Sequence, residues 1–214
     1  AAALIILTQS AELPASITLS EVERIAVANA IASAEFKGKE GQSLKLRGIG
    51  SRPIIMVVGT AKPDNKGADW QSAGGAAIQK LMKEEAELAI VGAPDATAMT
   101  EAALGLSLGQ YRFDRYQYDV EKAPANQKVT LVGAAASEAQ SLWNSRYKHL
   151  AEGVTFTRDL QSEPASSLYP QSFVERTRAA FSGVPNIRIE VLDEAVEELV
   201  RVFENRVAAE PPST

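Results

Sequence analysis

Short apolar runs rich in β-branched residues alternate along this chain with segments of helical spacing, and this order admits few folds. Leu4–Leu7 is the first such run. Ile54–Val58 (IIMVV) is continuously apolar between Pro53 and Gly59. A strand of that kind is one covered on both faces. Leu88–Val91 and Val129–Val132 repeat the pattern, while Ser43–Leu46 alternates polar and apolar as a half-exposed strand does. Between them, helices are predicted over Ser20–Ala34, from Asp69 through Trp70, Ile78 and Leu81, over Thr97–Leu108 and over Ser137–Leu150. The fold class is therefore α/β, a three-layer arrangement with helices on both faces of one sheet. Strand-helix-strand order further predicts right-handed crossovers and parallel pairing.

The helix starts carry their own chemistry. Ser20-Glu21-Val22-Glu23 is a capping box, after which Val22, Ile25, Ala28 and Ile31 mark one helical face. Composition shifts near Glu152–Val154, which divides the chain into a domain over residues 1–150 and a linker region over 151–214. In the second part, Tyr169-Pro170 opens a helix, with proline where a missing N–H costs nothing. Ile187–Leu192 (IRIEVL) alternates as a strand, and Asp193 precedes an amphipathic helix. Val196, Leu199, Val200, Phe203 and Val207 of that helix form the expected interaction surface.

Charge and composition remove whole classes of function. With 22 Lys+Arg against 27 Asp+Glu, the net charge is −5, and no basic cluster offers the counterion release that drives nucleic-acid binding. No apolar run reaches the ~20 residues of a membrane helix. Without cysteine there is no thiolate nucleophile and no Cys-based zinc site. Ala1–Leu7 lacks a basic n-region and reads as a buried strand, not a signal peptide. The expected compartment is the cytoplasm, or an organelle after processing.

Few residues stand out as reactive. His149 is the only histidine, beside Arg146, Tyr147 and Lys148 on a helix end, and no G-x-S-x-G accompanies it. Glu84, Glu85 and Glu87, like Glu194, Glu197 and Glu198, read as solvated helix faces. Gly74-Gly75 fits either a phosphate cradle at a helix start or close packing of that helix. Tyr111-Arg112-Phe113-Asp114-Arg115-Tyr116 is the densest aromatic and charged cluster. It can stack bases or form a rigid buried anchor, and the negative net charge favours the anchor.

Several segments together resemble leucyl aminopeptidases, peptidase family M17, in their N-terminal domain. They are EFKGKEGQSLKL (35–46), RPIIMVVG (52–59), WQSAGGA (70–76), GQYRFDRY (109–116), VTFTRDLQSEPASSLYP (154–170) and IEVLDE (189–194). The linker departs from the family pattern in carrying Ser162 and Ser166 where asparagines are usual. The resemblance implies an α/β domain similar to macro domains, then a linking helix-strand-helix segment. It also implies a separate catalytic domain, holding two divalent metals and an N-T-D-A-E-G-R motif. That motif is not among these 214 residues, so no catalytic or metal-binding residue and no cofactor is expected here, zinc or manganese belonging to the catalytic domain.

Three readings follow from the resemblance. The chain is a non-catalytic structural or interaction module with a protein partner or its own copies, or the N-terminal part of an active metal-dependent leucyl aminopeptidase. Alternatively it is a macro-like module that binds ADP-ribose at the strand ends, where Gly59, Lys62, Gly74 and Gly75 would line the cleft.

Overall fold

Every residue of β1 (Ala3–Thr8) is buried, and the two layers that cover it explain why its sequence shows no alternation. Leu4 and Ile6 point into one apolar cluster with Val27, Ile31, Ile55 and Val57. Ala3, Ile5 and Leu7 point into the other with Met56, Val58, Ile78, Leu81 and Ile90. Each fully buried aliphatic side chain contributes about 2 kcal/mol of transfer free energy. The computed structural model describes residues 3–84, 87–116 and 126–192.

The sheet contains β2 (Ser43–Ile49), β3 (Arg52–Gly59), β4 (Leu88–Val91) and β5 (Val129–Leu131) besides β1, in the order β2-β3-β1-β4-β5. The pairs β1–β3, β1–β4 and β4–β5 are parallel, as the strand-helix order predicts. The β2–β3 pair is antiparallel, so the sheet is mixed. Only Gly50 and Ser51 connect these two strands, far too few residues for a crossover. Gly48 and Gly50 supply the left-handed backbone (φ 63° and 60°) that the reversal uses.

In α1 (Glu21–Ser33) the capping box forms as predicted. The Glu23 N–H donates to Ser20 Oγ at 3.3 Å, and Glu23 Oε2 accepts from the Ser20 N–H at 2.9 Å. The predicted face does not hold. Glu23, Val27 and Ile31 are buried, whereas Val22 and Ile25 are 63% and 53% exposed. Glu23 sets this rotation, because its carboxylate also pairs with Arg52 Nε of β3 at 3.3 Å beneath the helix start. The positions facing the sheet are then those four and eight residues further along.

On the other face lie α2 (Trp70–Leu81) and α3 (Ala96–Gly109), capped by Asp69 and Asp95, whose carboxylates accept from the Ser72 and Ala98 N–H groups at 2.8 Å. A single helical stretch follows: α4 (Ala136–Leu142), a π turn at Trp143–Tyr147 and α5 (Lys148–Ser162). The predicted end at Leu150 is passed without a break. The buried residues Ala139 and Ala151 are twelve positions apart, about a third of a turn out of phase in a regular helix. The extra residue of the π turn returns them to one side.

By internal contacts the chain divides into Ala1–Asp159 and Leu160–Thr214. In the second unit, α6 (Pro170–Ala180) begins at the predicted proline. Arg176 holds the buried Glu163 carboxylate at 2.6 Å. Ile187–Leu192, predicted as a strand, has no ladder partner among the described residues. Alternation gives a ribbon two faces, but a strand exists only where another edge meets it. Val196, Leu199, Val200, Phe203 and Val207 lie outside the described residues.

Candidate functional site

The strand-end cleft expected around Gly59 is filled by the chain itself. Gln42 Oε1 accepts from the Lys37 and Lys39 N–H groups at 2.9 and 3.1 Å, which closes the FKGKEGQ segment into a tight loop. That loop is laced to the end of β3: Ala61 N–H donates to Gly38 O, Glu40 N–H to Ala61 O and Gly59 N–H to Gln42 O. A Cβ at Gly59 would stand 2.1 Å from the Lys39 carbonyl oxygen, and one at Gly38 2.2 Å from the Ser10 nitrogen. Glycine is required at both because backbone meets backbone. Lys62 is exposed beside this loop, its N–H donating to Gly67 O.

Gly74 and Gly75 lie in the second turn of α2, where main-chain N–H groups bond within the helix and no cradle is open. A Cβ on Gly74 would meet Ala102 O at 2.1 Å, and one on Gly105 would meet Gln71 O at 1.9 Å. Of the two readings of Gly74-Gly75, close packing is the one the geometry fits. The four expected cleft residues are thus not brought together, since two stand at the sheet end and two at the α2–α3 crossing.

Where the structure does concentrate chemistry is the junction of the 110–116 segment with α5. The Tyr111 hydroxyl donates to Asp159 Oδ1 at 3.0 Å. Arg158 lies 5.5 Å from the Tyr111 ring centre and donates to the Leu108 carbonyl at 2.8 Å. That carbonyl belongs to the last turn of α3, where unsatisfied oxygens and the helix dipole favour a cation. Phe113 and Tyr116 pack with ring centres 5.8 Å apart. The cluster is an anchor, and its key partners come from α5. Two of the segments read from the sequence, YRFDRY and RDL, interlock. Beside them is a polar concavity of about 350 Å³, lined by Ser107, Arg112, Asn126, Thr155 and Asp159 among others.

Two of the other residues singled out in the sequence meet charged partners. His149 is exposed and faces Glu152 at 3.4 Å. Glu84, expected on a solvated face, instead binds Arg47 and Lys45 at 2.6 Å each. The Arg47 and Lys45 hydrogen bonds hold its carboxyl below the ordinary carboxylate value of 4.5. Gln127 donates to the Leu81 carbonyl at 2.8 Å, which closes the C-terminal end of α2. Sequence alone did not mark Glu23, Arg52, Glu84 or Gln127 as a framework, because their partners lie far along the chain. Among the described residues no three His, Asp or Glu side chains converge as a metal site, and no helix is long and apolar enough to cross a membrane. Glu85, Glu194, Glu197 and Glu198 lie outside the described residues.

The chain is thus an α/β module, a mixed five-stranded sheet whose motif residues hold loops and helices in place. Residues 5–119 match the N-terminal domain of the cytosol aminopeptidase family, and the chain belongs to that family. It is 34% identical over 163 residues to a probable cytosol aminopeptidase of Rhizobium etli (strain CIAT 652), across 71% of this chain and 33% of the relative. It is 33% identical over 186 residues to the corresponding protein of Afipia carboxidovorans, across 81% and 36%. The chain spans about a third of the length of these relatives. In fold it is similar to a mutant tomato leucine aminopeptidase (TM-score 0.69, 18% identity, 94% of this chain and 43% of that one). It is also similar to a bottromycin maturation enzyme (TM-score 0.60, 20% identity, 93% and 41%).

Proposed function

We propose that these 214 residues act as a non-catalytic M17-type N-terminal domain, a structural or protein-interaction subunit that contributes no bond-breaking chemistry. One observation carries the reading: the side chains that could do chemistry are engaged in holding the chain to itself. Tyr111, Arg158 and Asp159 lock α5 to the end of α3, Glu84 joins β2 to the end of α2, and Glu23 joins α1 to β3. A catalytic group needs a free approach to substrate, whereas each of these groups is held by a partner within the chain. The relatives are cytosol aminopeptidases, and cytoplasm is the compartment this reading assigns. Two divalent metals, in this reading, belong to a catalytic domain and not to this one.

The test is isolation of the tagged chain from its own source cells, followed by cross-linking and mass determination. Cross-links to a defined protein in fixed stoichiometry, or to a second copy, are expected. A chain that runs only at its monomer mass of 22.9 kDa, without inter-protein cross-links, contradicts the interaction role.

A further inference from the structure

We propose that the outer edge of β2 docks an extended partner segment in which acidic and apolar residues alternate. This rests on the reading as an interaction subunit and names the surface it uses. Among the described residues β2 is seven residues long and pairs only with β3. Gly59 N–H donates to Gln42 O, and Ser43 stands opposite Val58. Gln42, Leu44 and Leu46 therefore turn their main-chain groups toward β3, and Ser43, Lys45 and Arg47 turn theirs outward. An outward row of that kind is a template for one more strand.

The side chains of β2 sort by face. Leu44 and Leu46 are half-buried on the side covered by α1, whose Val22 and Ile25 stay exposed. Lys45 and Arg47 lie on the opposite side, where Lys80 reaches the Ser43 hydroxyl. Two of these three cations, Lys45 and Arg47, share one described carboxylate, Glu84, while the Lys80 ammonium bonds only to the Ser43 hydroxyl among the described residues. A period-two strand would meet apolar side chains on one face and positive charge on the other. Carboxylates at its alternate positions would share those cations with Glu84. A second copy fits badly, since antiparallel pairing of two β2 edges about Lys45 or Leu46 sets Lys45 against Lys45 or Arg47. Like charges directly opposite destabilise such a pair.

Hydrogen exchange on the full chain tests this with a peptide of about eight residues that alternates glutamate and valine, long enough to span β2. With peptide in excess, the Ser43, Lys45 and Arg47 amides are expected to slow about tenfold or more while Leu44 and Leu46 stay unchanged. Added salt should weaken binding, and the double variant K45Q/R47Q should bind about tenfold less tightly. Unchanged outward amides, or equal binding of a lysine–valine peptide, would overturn the proposal. Outward amides already protected without peptide, together with a dimer mass by light scattering, would give the edge to a second copy. That outcome sinks this proposal and leaves the interaction reading standing. Should the variant fail to fold, the wild-type exchange pattern still decides.

Discussion

At Gly105 a methyl group would stand 1.9 Å from the Gln71 carbonyl oxygen, and neither backbone can yield without moving a helix. Gly105→Ala is expected to destabilise by about 1–3 kcal/mol, an overpacking cost that a denaturant titration would register. Gly75→Ala, whose nearest neighbour would be 3.7 Å away, should cost little. Glu84 gives a pH-dependent prediction. Its folded-state acidity is raised by Arg47 and Lys45, so its stabilising contribution is complete above the ordinary value of 4.5 and fades as pH falls through the lower folded value. Acid titration of Glu84→Gln should therefore lose part of the wild type's stability decline below that point; identical profiles would refute the pairing. Residue roles of this sort were partly legible in the sequence. The capping Ser20 and Asp69 were plain because their partners lie three positions away, whereas Glu23–Arg52 and Lys45–Glu84 join residues that only the fold brings together.

At the scale of elements, the interlock of the 110–116 segment with α5 makes the sharpest prediction. Tyr111→Phe removes one hydrogen bond to a carboxylate and keeps the ring under Arg158, so a loss of about 1–2 kcal/mol is expected. Asp159→Asn should cost a similar amount, and the double variant should cost little more than either alone, because both remove the same bond. Fully additive losses in urea titrations would show that the two side chains act separately. The strands around β1 were readable from continuous apolar runs, since burial on both faces leaves that mark. The half-exposed β2 was readable too, but its antiparallel direction was not, because the two-residue Gly50-Ser51 link outweighs the strand-helix rule that governs its neighbours. The π turn at Trp143–Tyr147 also leaves no simple pattern, and it carries the helix past the point where composition alone suggests an end. Ile187–Leu192 failed the other way, having the alternation of a strand but no edge to join among the described residues.

At the scale of the whole molecule, the family was legible because its motifs are fold-holding devices: the FKGKEGQ loop over the end of β3, the glycines at the α2–α3 crossing, and YRFDRY against RDL. Gly59, expected to line a cleft at the strand ends, packs directly against the Lys39 backbone. The proposed role predicts that the chain folds and associates without hydrolysing peptides. The most direct measurement is hydrolysis of a leucyl chromogenic substrate by the purified 214-residue chain with added manganese or zinc. No metal-dependent turnover above the protein-free control is expected. Turnover that follows the chain through purification and disappears with a chelator would contradict the account.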